Sequence, residues 1–387
     1  MIGISRMVSG LSESGDSLRY RRRDEGGVIS QPRPVVVWNC TRRCNLRCAH
    51  CYAGSESADA AGDDELSDAQ ARAMIDDLAA FGAPVLLFSG GEPLLRRGVL
   101  DLARHAKQAG MRTVFSTNGT WITRDVAAGM REAGVSYAGI SLDGPAAVND
   151  AFRGVAGAFE RAVEGIRACR DEGVKVGLRL TLTGHNVDEI GEIFGLIERE
   201  EIPRACFYHL VASGRGRTLA GVALSHARTR AAVDEIIDRT AALHARGRRV
   251  QVLTVDNHAD GPYVQMRLAR DGHARAADAY ELLRQNGGNS AGSSIACVSW
   301  NGDVLPDQFW RDRVLGNVTR RAFSEIWSHG GHEFLEQLRR RGESFTGRCR
   351  RCRWQAVCNG NLRARAEAAG DLWGDDPACY LTDEEIA

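Results

Sequence analysis

A partial (β/α)6 barrel of the α/β class is predicted for residues 35–245, and three observations predict it. Short runs of β-branched and aromatic residues recur between amphipathic helical patterns. Short polar, glycine-bearing clusters stand directly after successive runs. A cysteine triad, Cys44, Cys48 and Cys51, follows the first run. Apolar strands alternating with helices make βα units and a parallel sheet, and such a barrel gathers its chemistry at the C-terminal ends of its strands.

Residues 1–34 are polar, rich in Arg, Ser and Gly, and carry no clear periodicity, so an N-terminal arm over the core is expected. Strand-like runs follow at Val35–Asn39, Val85–Ser89, Arg112–Ser116, Tyr137–Ser141, Val174–Thr181 and Ala205–His209. Ser67-x-x-Gln70 is a capping box opening a helix with Met74, Ile75 and Leu78 on its apolar side and Gly82 as its stop. Asn186-x-x-Glu189 is expected to open another, with Ile190, Ile193, Phe194 and Ile197 on one side. Residues 246–290 read as a linker or bridging region after a helix over Ser225–Arg246, with a strand-like run Val250–Val255. Gly287 to Ser294 is a glycine-rich hinge into a C-terminal domain at 291–387.

Composition narrows the function classes. The chain has 387 residues, 43% of them apolar and 26% charged, as in a globular protein. Fifty basic and fifty acidic residues cancel, which gives no general case for nucleic acid or an anionic membrane. Lys107 and Lys175 are the only lysines; the remaining cations are Arg, which binds carboxylates in a bidentate way. No apolar run approaches a membrane span and no signal-peptide core is present, so a cytoplasmic location is expected. Eleven cysteines in such a chain argue for metal binding in a reducing compartment rather than disulfides.

The triad has the spacing C-x3-C-x2-C, a loop able to wrap three thiolates around one face of an iron–sulfur cube. Three ligands leave one iron open to a small molecule. The alternatives are a zinc knuckle, which usually closes with four ligands, or scattered core cysteines. Cys40 makes a competing frame, but it ends a strand pattern and reads as a small buried residue. A second set, Cys349-x2-Cys352-x5-Cys358 and then Cys379 after 20 residues, suits a fully ligated second 4Fe–4S cluster; spacing alone leaves a four-cysteine zinc site open.

The triad followed by Tyr52 resembles the radical S-adenosylmethionine (SAM) enzymes. The resemblance implies a SAM-binding 4Fe–4S cluster on Cys44, Cys48 and Cys51, whose open iron chelates SAM and cleaves it to a 5′-deoxyadenosyl radical. Ser89-Gly90-Gly91-Glu92-Pro93 is similar to the family's GGEP motif, which meets the SAM amino group; its glycines would let the backbone approach a ligand. Ser116 and Asn118, then Ser141 and Asp143, follow the third and fourth strands and suit a ribose, or are simple turn formers. Arg179 and Thr181 interrupt the fifth strand, and in relatives an Arg here approaches the SAM carboxylate; otherwise it snorkels to solvent. The C-terminal cysteines resemble the SPASM extension. Full SPASM domains hold two auxiliary clusters, but Asp307 and Leu362 stand where two ligands of the first are expected, so one cluster, as in the shortened Twitch form, is predicted.

The stretches Val35–Cys48, Val255–Tyr263, Asp307–Trp310, Cys358–Asn361 and Asp376–Glu385 resemble the tetrapyrrole-modifying radical SAM enzymes, above all the 12,18-didecarboxysiroheme deacetylases of sirohaem-dependent haem biosynthesis. That resemblance implies 12,18-didecarboxysiroheme as substrate. It also implies removal of its two acetate side chains, leaving methyls, to give iron-coproporphyrin III. A one-electron donor such as flavodoxin or ferredoxin is implied as well. The sister family removes propionates on the way to haem d1. Substrate contacts are expected from Arg215 and Arg217 as carboxylate clamps and from His258 as metal ligand, acid or turn cap. A radical SAM peptide maturase and a non-catalytic iron–sulfur protein remain as other classes.

Overall fold

The computed structural model describes residues 1–20, 33–60, 64–328 and 330–387. In chain order its strands are β1 (Ile2–Gly3), β2 (Val35–Thr41), β3 (Arg43–Cys44), β4 (Glu56–Ser57), β5 (Val85–Gly90), β6 (Arg112–Thr117) and β7 (Tyr137–Ser141). These are followed by β8 (Val176–Leu182), β9 (Arg204–His209), β10 (Gln251–Val255), β11 (Ile295–Val298), β12 (Asp303–Leu305) and β13 (Gly316–Asn317). Eleven share one sheet in the order β1-β10-β9-β8-β7-β6-β5-β2-β11-β12-β13. Every pair from β10 to β11 is parallel. The edges at β1, β12 and β13 are antiparallel. The six predicted barrel strands all lie in this sheet.

Period-two alternation divides each strand between two environments. Trp38, Phe88 and Phe115 stand in register on β2, β5 and β6 and form a fully buried aromatic ladder on the outer, helix-facing side. Their neighbours Val37, Leu87 and Val114 line the interior cavity. The helix Asp68–Phe81 opens with the predicted capping box, Ser67 accepting from Gln70 N–H and Gln70 from Ser67 N–H, and ends at Gly82 in the left-handed region. It buries Met74, Ile75 and Leu78 against the sheet.

Three segments differ from expectation. The start of the unpatterned arm is built into the fold: β1 adds to β10, and the helix Ile4–Ser9 buries Ile4 and Met7. Elements of two and six residues are too short to leave a periodic signal. Residues 21–32 of that arm lie outside the described residues. In the bridging region, β10 continues the parallel sheet, and the helices Asp260–Arg270 and Ala276–Asn286 pack on each other and on Ile4–Ser9. Asn186 does not cap the helix Ile190–Arg199. Its side chain accepts from Thr183 N–H and donates to the carbonyls of Asp143 and Thr181, so it joins two strand ends. No described helix is long and apolar enough to cross a membrane.

Candidate active site

The cysteine loop is closed at its base by the β3–β4 pair and fastened above by Arg215. The Arg215 guanidinium donates to the carbonyls of Cys48 at 3.0 Å and Ser55 at 2.6 Å, and its backbone N–H donates to Cys51 O at 2.9 Å. Arg47 and Ala49 donate backbone bonds to Arg153 and Phe152. Inside the loop each sulfur receives a donor. Leu46 N–H meets Cys44 Sγ at 3.4 Å, Arg153 Nη1 meets Cys48 Sγ at 3.6 Å, and Ser55 N–H meets Cys51 Sγ at 3.5 Å. Thiolate sulfurs of an iron–sulfur centre accept such bonds, so this donor set fits a cluster on the three cysteines. Burial pushes the Cys44 thiol up to about 12 and raises Cys48 against the opposing Arg153 charge, so iron rather than water would stabilise the thiolates. Cys40 is fully buried in the core, as expected.

The GGEP segment serves this loop. Gly90 has φ +123° at a register shift opposite Thr41, and a Cβ on Gly91 would sit 2.1 Å from Arg43 O. The two glycines thus let the turn dock on the chain's own backbone, through Gly91 N–H to Thr41 O and Glu92 N–H to Arg43 O. Both still line the cavity; Glu92 does not. Its fully buried carboxylate accepts from Leu94 N–H, Thr117 Oγ1 and Asn118 N–H, locking the turn after β6. Burial pushes that carboxyl up to about 7, opposed by the same three hydrogen bonds. Glu92, expected from the sequence to meet a ligand, is here held by the chain's own donors and anchors two turns.

Asp143 is likewise engaged by the chain's own groups. It is fully buried and absent from the cavity wall; it accepts from Thr181 N–H at 2.8 Å and pairs with Arg153. Arg153 and the neighbouring Phe152, whose ring stacks on His50 at 4.4 Å, are residues that sequence reasoning missed. No motif marks them; only the fold brings the helix Ala146–Arg153 to the cysteine loop. The remaining strand-end residues face the cavity: Ser116, Asn118, Ser141, Arg179 and Thr181. Asn118 Nδ2 bonds Asn45 Oδ1 of the cysteine loop at 2.9 Å. Arg179 donates to Ser116 Oγ at 2.6 Å and keeps a buried, unpartnered Nε. Tyr52 donates towards Asn39 and pairs with Ser89 Oγ at 2.9 Å, its ring edge-on to Phe309.

The cavity measures about 910 Å³ and runs from this loop to the C-terminal region. Its far wall carries Asp256, His258, Asp307, Phe309, Asn359 and Leu362. Neither expected arginine clamp reaches it: Arg215 is spent on the cysteine loop, and Arg217 pairs with Asp312 at the surface. Behind the wall, Cys349, Cys352, Cys358 and Cys379 converge. Cys358 is raised first by burial and then by Cys379, Cys349 and Cys352 around it. Gly288 packs so closely on the Cys358 carbonyl that a Cβ would sit 2.2 Å away. Cys297 is buried apart from them with Val37 and Leu305, accepting from Asn39 Nδ2. No three His, Cys, Asp or Glu side chains among the described residues form a ready single-ion site.

Parallel strands that turn cysteines, glycines and polar side chains into one cavity define a class, and comparison with known proteins agrees. Residues 38–197 match the model of the radical SAM superfamily, and residues 290–353 that of an iron–sulfur cluster-binding domain called SPASM. The chain belongs to the radical SAM superfamily and is an enzyme of that type, binding SAM and 4Fe–4S clusters. Within it, the chain is 51% identical to the Fe-coproporphyrin III synthase of Methanosarcina barkeri, over 100% of this chain and 99% of that one. It is 43% identical to the pre-heme d1 synthase of Dinoroseobacter shibae, over 92% and 88%. Among solved structures, anSMEcpe with bound AdoMet superposes with a TM-score of 0.69 at 17% identity, covering 91% of this chain and 95% of the other, which is a likeness of fold.

Proposed function

We propose that this chain removes the two acetate side chains of 12,18-didecarboxysiroheme, leaving methyl groups, and releases Fe-coproporphyrin III. The observation that carries this is the 51% identity, end to end, with Fe-coproporphyrin III synthase, against 43% with the pre-heme d1 synthase. The cavity supports it. Its volume of about 910 Å³ is at the upper end for cofactor sites, and its wall combines the apolar Val37, Leu87 and Val114 with Arg179 near the cysteine loop and Arg112 and Arg204 at the opposite strand ends.

Bound together, SAM and the reduced cluster supply a radical able to take hydrogen from an unactivated C–H bond, which acid–base side chains cannot do. The chain's own residues hold and orient the reactants. Cys44, Cys48 and Cys51 ligate the first cluster, and Cys349, Cys352, Cys358 and Cys379 the auxiliary one. Gly90, Gly91, Ser116, Asn118, Ser141 and Arg179 form the SAM face, where the Arg179 guanidinium supplies positive charge for a carboxylate. Tyr52 and Phe309 meet edge to face on the cavity wall, where the cysteine loop comes against the C-terminal region, and add apolar surface there. Electrons come from a flavodoxin- or ferredoxin-type donor.

The test is anaerobic reconstitution, then SAM, dithionite and 12,18-didecarboxysiroheme, with product mass followed. Loss of both acetates is expected. Loss of propionates would move the chain to the pre-heme d1 activity, and absence of 5′-deoxyadenosine would remove the radical reading altogether.

A further inference from the structure

We propose that His258 is the axial ligand through which the protein holds the iron of its tetrapyrrole substrate. The inference rests on the tetrapyrrole reading above and adds the metal contact. Three histidines line the cavity. His209 is committed to Asp260, 2.8 Å from Nε2, and Asp260 is fixed in turn by Tyr380 Oη. His50 lies inside the cysteine loop, stacked on Phe152, with Nε2 3.7 Å from Asp143. Neither the His50 ring nor the His258 ring makes a hydrogen bond to a described residue, but His50 faces the Asp143 carboxylate within the cysteine loop, whereas His258 stands on the far wall with no charged partner among the described residues. It is 8% exposed, and its Nδ1 is buried without a partner.

Nδ1 is shut off from the cavity, so a metal bond would form at Nε2, which has no partner among the described residues and is not enclosed. Neutral imidazole is a favoured ligand of tetrapyrrole iron, and burial keeps this ring neutral by lowering its affinity for a proton. The backbone that carries the ring is also held in place. His258 N–H donates to Asn361 Oδ1 at 2.6 Å, Asn361 donates to Asn257 Oδ1 at 2.8 Å, and Asn257 donates to Ala378 O beside Cys379. Asp256, two residues earlier, sits in the left-handed region at φ +66°, a strained turn that sets the exit from β10. In the sheet, β10 is separated from β2, which carries the cysteine loop, by five strands. Iron held on the β10 wall leaves the ring periphery, where side chains are removed, free to face the opposite wall.

The probes are ferric iron-coproporphyrin III and metal-free coproporphyrin III, added to the cluster-loaded protein and followed by optical and electron paramagnetic resonance spectra. The wild type is expected to give a nitrogen-ligated iron spectrum. H258A is expected to lose it, to recover it with added imidazole, and to bind the iron porphyrin at least about tenfold more weakly while binding the metal-free ring as before. H258M, nearer in bulk, is expected to shift the spectrum to a thioether-ligated form. An unchanged spectrum in both variants would overturn the ligation while leaving the tetrapyrrole reading intact. Failure of the wild type to bind either porphyrin would overturn both.

Discussion

Arg153 joins a cluster ligand to the protein's charge network. Nη1 meets Cys48 Sγ at 3.6 Å, Nη2 pairs with Asp143, and Asp143 is tied by its other oxygen to Thr181 N–H on β8. Reduction adds negative charge to the cluster, and a guanidinium beside a ligand sulfur stabilises the reduced form. R153M is therefore expected to lower the reduction potential of the SAM-binding cluster by an amount on the order of tens of millivolts, read by potentiometric electron paramagnetic resonance titration. R153K keeps the charge and loses the fork, so its shift should be smaller. An unchanged potential in R153M would reduce Arg153 to a packing role. The cost in stability is separable, because R153M leaves Asp143 buried and unpaired; R153M/D143N should restore the denaturation midpoint but not the potential.

At the scale of elements, the turns after successive strands are fastened to one another before any ligand arrives. The GGEP turn docks on the cysteine loop, and its carboxylate holds the turn after β6. G91A places a methyl 2.1 Å from Arg43 O, where only backbone can give way. It is expected to cost about 2–4 kcal/mol and to cut iron retained after reconstitution to less than about half. E92Q turns an amide donor towards N–H groups and should cost about 1–3 kcal/mol in the absence of SAM, seen as a lower guanidinium midpoint. Unaltered ligand-free stability would mean that the carboxylate serves the ligand instead. The same elements mark how far the sequence could be read. Strand runs were legible because parallel strands buried on both faces are written as continuous apolar runs. The cysteines, Ser116, Asn118, Ser141 and Arg179 were legible because strand-end position predicts exposure to the cavity. Glu92 and Asp143 have the right position too, yet they turn inward, and Arg215 is used up on backbone carbonyls; polarity and place do not tell which way a side chain turns. Arg153 and the packing of residues 2–9 depend on contacts between segments far apart in the chain, which no local pattern carries.

Across the whole molecule, the barrel and the cysteine-rich C-terminal region share one wall of the cavity, and Arg365 holds them together. It is 6% exposed, donates through Nε and Nη2 to both oxygens of Asp376, and reaches back to the carbonyls of Asp256 and Leu210, just beyond β10 and β9. Asp376 also accepts from Leu362 and Ala378 N–H, which fixes the backbone on either side of the auxiliary cysteines. A second tie runs from His258 through Asn361 and Asn257. Removing one member of a buried pair leaves the other charged and unsatisfied, at a cost of about 3–5 kcal/mol. R365M should therefore act on this seam first. Amide hydrogen exchange is expected to speed up in residues 256–259 and 359–379, while the β5–β8 strands keep their protection, since their ladders and aromatic packing do not involve the seam. Cluster content should fall at the auxiliary site before the SAM-binding site, because Cys44, Cys48 and Cys51 are held by Arg153, Arg215 and the β3–β4 pair. Uniform loss of protection across both regions would show instead that barrel and C-terminal region unfold as one cooperative unit.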